Sequence, residues 1–205
     1  KHFQLGVNER GDIAIPIFRD EELANYKFRG VKEKKFYNVK GCEAWIINQS
    51  GFVAAAEDKY LIIVEGEFDA MALWQIGLDN VISTTGGAQE KGAEWIPLIP
   101  DEVKKIFINY DNDGPGKEAA RELAERIGIE RCYNILLTPP LKDANDFIRA
   151  GGTLKEYKEI LKKAPRFDIE GVKRIGDVLD EIRNTEIERR ETGLERLDYF
   201  TKGGI

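Results

Sequence analysis

Cysteine and histidine are scarce in this chain: Cys42, Cys132 and His2 are the whole supply. The two cysteines lie far apart, so no zinc site of four local ligands can be drawn, and both are expected to be buried thiols. Long apolar runs are also missing. No segment reaches the roughly 18 residues of a membrane-spanning helix, and the opening KHFQLGVNER lacks the apolar stretch of a secretory signal. The first residue is not Met, and TGLERLDYFTKGGI breaks off in mid-element, so the chain is expected to be a cytoplasmic fragment of a longer protein. A basic balance is lacking as well: 31 Lys and Arg against 37 Asp and Glu give −6. That argues against a protein that coats DNA wholesale, although the charge is unevenly spread. Neither an internal repeat nor a low-complexity tract is evident.

What is present suffices for a substantial core: 205 residues, 42% of them apolar, fit one sizeable domain or two small ones. Residues 11 to 48 alternate short apolar segments (DIAIPIF, NYKFRG, EAWIIN) with turns, the pattern of a small β-rich lobe. From residue 60 the rhythm changes. YLIIVEG, a helix-like FDAMALWQIG, DNVISTT, KKIFINYD, a helix PGKEAARELAERIG and RCYNILLT alternate as in a parallel α/β sheet flanked by helices. Further helices are expected at about 143–150 and 153–163, the second stopping before Pro165. Residues 173–191 are rich in Glu and Arg with few apolar positions, which suits an exposed or partner-seeking helix.

Carboxylates gather at the strand ends. In an open parallel sheet ligands sit beyond the carboxyl ends of the strands. Glu65 follows the strand at 61–64, Asp111 and Asp113 follow the strand at 105–110, and Asp143 follows the strand at 132–137. Asp69, four residues beyond Glu65 on the next helix, leans toward the same place. Hard oxygen ligands in separate loops suit Mg²⁺ completed by substrate phosphates, as one ion or a pair. Plainer roles stand beside this one. Asp113 before Gly114-Pro115 is a good helix N-cap, Glu67 reads as a favourable first-turn charge, and DNDG does not satisfy a calcium-binding loop.

EGEFDA, FINYDNDGPGKEAA and KDANDFI in this order resemble the Toprim family shared by bacterial-type primases, type IA and II topoisomerases and some nucleases, over roughly residues 58 to 150. The resemblance implies acid/base chemistry for Glu65 and metal binding for Asp111 and Asp113. KDAND is similar to the matching stretch of phage primase-helicases and of the related helicase Twinkle, which implies that Asp143 is a further metal-site acid. It also implies three regions: a β-rich lobe at 1–58 like half of an RNA-polymerase domain, a Toprim domain at 59–165, and at 166–205 a linker helix entering a helicase domain. Neither the zinc module nor the helicase motor of those proteins lies in this sequence.

The expected partners follow. Arg19, Lys27, Arg29, Lys32, Lys34 and Lys35, interleaved with Tyr26, Phe28, Phe36 and Tyr37, suit a single-stranded DNA template, as phosphates meet cations and bases stack on rings. Lys117 at a helix start, and Gly86 and Gly87 in the turn after the second strand, are candidates for ribonucleoside triphosphate binding. The resulting expectation is a DNA primase core using Mg²⁺ or Mn²⁺, two ions if the pair forms. It would be joined to a helicase domain of the same chain and assembled into a ring in the full-length protein, without a membrane. The alternatives are a non-catalytic module that binds single-stranded DNA and organises a ring helicase, or a Toprim nuclease; a topoisomerase lacks a domain to present its tyrosine.

Overall fold

The computed structural model describes residues 2–33, 35–39, 45–84, 94–168 and 178–179. The chain divides into two units, Lys1–Phe167 and Asp168–Ile205, and every element discussed below belongs to the first. Most of the expected helix at 173–191 lies outside the described residues; Val178 and Leu179 are helical.

The first sheet is antiparallel: β1 (Gly6–Val7), β2 (Ile13–Arg19), β3 (Glu22–Arg29) and β4 (Phe36–Asn38), in that order. Asp20 and Glu21 turn β2 into β3 with φ of 50° and 67°. Positive φ at both central residues is the geometry that matches hairpin twist, here adopted without a glycine. Strand alternation then sorts the side chains. Ile13, Ile15 and Ile17 pair with Arg29, Lys27 and Asn25, and Ile15 and Ile17 enter the main core. The opposite face carries Tyr26, Phe28 and Tyr37, whose rings stack at centroid distances of 6.1 and 5.1 Å over Ala14 and Pro16.

The second sheet holds β5 (Ile46–Ile47), β6 (Tyr60–Val64), β7 (Val81–Thr84), β8 (Lys105–Asn109) and β9 (Cys132–Asn134), in the order β5-β7-β6-β8-β9. β6 to β9 run parallel, and β5 caps the β7 edge in the antiparallel sense. Helices α1 (Gly51–Asp58), α2 (Glu67–Gln75), α3 (Gly114–Ile127), α4 (Ala144–Arg149) and α5 (Leu154–Lys163) connect and cover it. One face packs Phe52 and Ala55 of α1 and Ala120, Leu123, Ala124 and Ile127 of α3 on Leu61, Ile63, Ile106 and Ile108. The other packs Leu73, Phe147, Tyr157 and Leu161 from α2, α4 and α5 on Ile62, Val64 and Phe107. Leu61 to Val64 are therefore covered on both sides and fully buried, as a continuous apolar run demands, each worth about 1.5–3 kcal/mol of transfer free energy.

This is the expected α/β class with a small antiparallel lobe. β5 lies before residue 58 in sequence yet hydrogen-bonds to β7 of the second sheet. The sequence pattern did not announce α1, because GFVAAAED buries only Gly51, Phe52 and Ala55 and has no side-chain cap. Asn48 secures that corner. Its amide donates to the carbonyls of Asp79 and Val81 at 3.2 and 2.7 Å, and its oxygen accepts from His2 and Ser50. Cys132 is a buried free thiol, as anticipated, with burial pushing its pKa up to about 12; Cys42 lies outside the described residues.

A non-glycine residue in the left-handed region costs about 1–2 kcal/mol, against about 0.5–1 kcal/mol for the freedom a glycine loses on folding. Glu21→Gly should therefore raise stability by about 0.5–1 kcal/mol, read as a higher urea midpoint at unchanged slope. A lower midpoint would contradict the turn geometry.

Candidate active site

Because β6, β8 and β9 are parallel, their carboxyl ends open on one edge, and the acids that follow them meet there. Glu65 directly follows β6, and its Oε2 accepts the backbone N–H of Asp111 at 3.2 Å, joining the loops after β6 and β8. Asp69, in the first turn of α2 and 8% exposed, accepts the N–H of Asn145 at 2.8 Å and so joins α2 to α4. Asp113 caps α3 by accepting from Gly116 at 2.7 Å, and Asp143 caps α4 by accepting from Asp146 at 2.6 Å. The N-cap role foreseen for Asp113 is thus present, and one oxygen of each residue is committed to its helix.

Two glycines make this closeness feasible. A Cβ on Gly66 would stand 2.5 Å from Oδ2 of Asp69, and one on Gly116 would stand 2.3 Å from the Asp111 carbonyl oxygen. Both are distances that real Cβ atoms do not adopt, so each glycine permits backbone to approach an acid.

The charges feel one another. Burial pushes Asp69 up to about 7, and the carboxylates of Asp143, Asp111 and Glu65 push in the same direction against the pull of the Asn145 amide. Asp111 is raised to about 6 by burial and then by Glu65, Asp143 and Asp113, with Lys142 acting oppositely. These hard oxygen donors share one edge and lack enough positive charge between them, so they fit a divalent cation. Among the described residues no three Asp, Glu, His or Cys side chains converge on a single point. A closed protein cage of the structural-zinc kind is therefore not what they build. They suit Mg²⁺, which takes one or two carboxylates and keeps water or phosphate oxygens for the rest.

The basic candidates separate in space. Lys27 reaches across from β3 to form an ion pair with Glu67 at the start of α2, the two side chains 12% and 2% exposed. Its ammonium lies 4.8 Å from the ring centroid of Phe36 and the Arg29 guanidinium 4.4 Å, on the face that also brings Phe36 near Phe68. Tyr26, Phe28 and Tyr37 occupy the opposite face. Arg19 sits at the other end of the hairpin, roughly 20 Å away at strand rise, over Trp45 and 4.0 Å from Glu94. Lys32 and Lys35 are exposed in the β3–β4 connection, with Lys35 beside Glu33, and Lys34 lies outside the described residues. Lys117 is exposed on the first turn of α3; Thr84 is buried at the end of β7, and Gly86 and Gly87 lie outside the described residues.

Sequence reasoning missed two pairs. The Glu67–Lys27 ion pair was hidden because Glu67 passes for a first-turn charge; the alternation that puts Lys27 on the face of Ile15 and Ile17 was the available signal. Asn109, a polar residue closing an apolar strand, donates to the hydroxyl of the buried Tyr157 at 2.8 Å.

Residues 62–148 match the family model described as Toprim-like. The chain is 29% identical over 200 residues to the Twinkle homolog protein, chloroplastic/mitochondrial, of Arabidopsis thaliana, a match covering 87% of this chain and 28% of that one. It is 30% identical over 183 residues to the primase homolog protein of the same plant, covering 79% and 53%. Among solved structures, the Aquifex aeolicus primase comprising zinc-binding and RNA polymerase domains superposes with a TM-score of 0.64 at 21% identity, covering 81% of this chain and 45% of that one. This chain carries a Toprim-like domain on the fold of a primase core. It spans about half the length, or less, of these curated relatives.

The electrostatics of this Toprim-like domain have a measurable sign. With folded pKa values raised to about 7 and 6, Asp69 and Asp111 stabilise the metal-free fold most below about pH 4, and that contribution is lost as pH rises through those values. Asp69→Asn keeps an acceptor for Asn145 and removes the charge. Without divalent ions it should exceed the parent in stability by about 2 kcal/mol at pH 8, and the gain should shrink toward pH 5. Equal stability at both pH values would contradict the cluster.

Proposed function

We propose that the chain is a DNA primase core, joining ribonucleotides on a single-stranded DNA template, and the priming part of a primase-helicase. The observation that carries this reading is the meeting of Glu65, Asp69, Asp111, Asp113 and Asp143 at the carboxyl edge of a primase-type sheet, fastened by the hydrogen bond from Asp111 N–H to Glu65.

Asp111, Asp113, Asp143 and Asp69 would hold Mg²⁺ or Mn²⁺, as one ion or two. When bound, the metal supplies charge neutralisation and Lewis acidity at the reacting phosphate. The chain's own groups do the rest. The edge holds a nucleoside triphosphate and the 3′-terminal ribose side by side, which removes most of the entropic cost of their meeting. Glu65 takes the proton of the 3′-hydroxyl as its oxygen bonds to the α-phosphorus, while the bond from that phosphorus to the bridging oxygen breaks and pyrophosphate leaves. Gly66 and Gly116 let the backbone come close to Asp69 and Asp111, so that the two acids would share a cation with the substrate phosphates.

The template would pass the Arg29 end of the antiparallel sheet, where the half-buried Arg29 stands over the exposed ring of Phe36, while Lys27, held by Glu67, braces that end from beneath. The exposed Lys32 and Lys35 would extend that track and Lys117 would border the nucleotide; Lys34, Gly86 and Gly87 are proposed for the same roles from the sequence alone. Residues 166–205 lead into the helicase part, through which the full-length protein assembles as a ring in the cytoplasm. Among the described residues no helix is long and apolar enough to cross a membrane. A second reading, a non-catalytic single-stranded-DNA module of a ring helicase, draws on the helix-capping roles of Asp113 and Asp143, which account for both residues without chemistry.

The test supplies labelled ribonucleotides, mixed-sequence single-stranded DNA and Mg²⁺ or Mn²⁺ to the parent chain and to Glu65→Gln and Asp111→Asn. The parent should make template-dependent oligoribonucleotides, and each variant should lose at least about a hundredfold in rate while remaining folded. Full activity in Asp111→Asn would sink the assignment. Strand cleavage in place of synthesis would point to a nuclease, and binding with neither would favour the module.

A further inference from the structure

The acidic edge has a cation of its own that the reading above does not use. Asn112, between Asp111 and Asp113, donates its backbone N–H to the carbonyl of Lys142 at 3.0 Å, and its side chain donates to the carbonyl of Leu137 at 3.1 Å. The N–H of Lys142 in turn donates to Asp146 at 3.4 Å, and Asp143, the next residue, caps α4. The backbone of Lys142 is thus pinned in the seam between the loop that carries Asp111 and Asp113 and the loop that carries Asp143. Its side chain is under no such restraint: residue 142 is exposed, and among the described residues its ammonium forms no hydrogen bond or ion pair. Yet its charge is felt at Asp111, where it is the cation that counters the surrounding carboxylates.

A lysine fixed by its backbone beside a cluster of acids, with an uncommitted ammonium on a flexible stem, has a specific use. A metal-bound triphosphate brings several negative charges onto an edge that is already acidic. The carboxylates can bind it only through cations, and the part of the triphosphate away from the reacting phosphorus needs a donor that is not itself an acid. Lys117 sits one helical turn into α3, and Lys27 is committed to Glu67. We propose that Lys142 is a phosphate-binding residue, whose ammonium receives the β- and γ-phosphates of the incoming nucleoside triphosphate and holds the pyrophosphate as it leaves. This rests on the nucleotidyl-transfer reading of the same edge. It also accounts for the placement of the lysine directly before Asp143: the acid caps α4, and the charge of the preceding residue acts on Asp111 across the seam.

The experiment is equilibrium binding of ATP and of pyrophosphate, each with Mg²⁺, to the parent chain and to Lys142→Met, Lys142→Arg and Lys117→Met, with primer synthesis by the parent measured beside it. Lys142→Met should keep the parent's thermal stability, because the bonds that fix residue 142 are made by its backbone. It should weaken both ligands about tenfold, as loss of one charge-assisted bond does, while Lys142→Arg stays within about threefold and Lys117→Met changes less than Lys142→Met. Unaltered affinity in Lys142→Met, or a parent that binds neither ligand at millimolar concentration, overturns the proposal. Primers from the parent together with unaltered affinity in Lys142→Met remove the phosphate site and leave the polymerase reading. No primers, with binding still dependent on Lys142, remove the polymerase reading and leave the phosphate site.

Discussion

Mutual repulsion among carboxylates at one sheet edge is the constraint around which this structure is arranged. A parallel sheet brings the ends of β6, β8 and β9 together for reasons of packing alone, since Leu61–Val64 and their neighbours need cover on both faces. The residues that follow those strands inherit the closeness. Burial, together with the charges of Glu65 and Asp143, then raises the proton affinity of Asp69 and Asp111, at a cost the hydrophobic layers beneath must absorb. The fold limits that cost locally. Asp111 N–H serves Glu65, Asn145 N–H serves Asp69, and the first turns of α3 and α4 serve Asp113 and Asp143. Glu65, Asp69, Asp113 and Asp143 each have one backbone donor, and the remaining deficit of positive charge is what a cation would fill, with substrate phosphate completing its coordination.

The antiparallel lobe is joined to that edge by more than chain connectivity. Ile15 and Ile17 enter the same core as α1 and α3, and the buried Lys27–Glu67 pair spans from β3 to the first turn of α2. A buried pair of this kind is costly to break and contributes little net stability, so its value lies in fixing position. It sets the inner face of the lobe, with Arg29 and Phe36, at the start of the helix that carries Asp69.

Much of this was legible in the sequence because period and position coincide. LIIV reads as a doubly covered strand, and EGEFDA, DND and KDAND mark its carboxyl edge and those of its neighbours. Less legible was anything set by the face on which a strand residue falls. The basic and aromatic track from Arg19 to Tyr37 reads as one patch in sequence, yet alternation divides it: Lys27, Arg29 and Phe36 turn inward, and Tyr26, Phe28 and Tyr37 stack outward. The β5 pairing and the Asn109–Tyr157 hydrogen bond are long-range contacts between segments that carry no mutual signal. α1 was missed because it is short and weakly marked at its ends: no side chain caps it, and its end turns hold no acidic or basic residue in the expected places.

The central claim is that these acids form a cation site completed by substrate phosphate. Its most direct test is a Mn²⁺ titration of the parent chain followed by electron paramagnetic resonance at pH 7.5, with and without a non-hydrolysable ribonucleoside triphosphate. The account predicts weak binding of Mn²⁺ alone, at least tenfold tighter binding when the triphosphate is present, and loss of both in Asp111→Asn. Tight binding that ignores the triphosphate, or binding that survives Asp111→Asn, would contradict it.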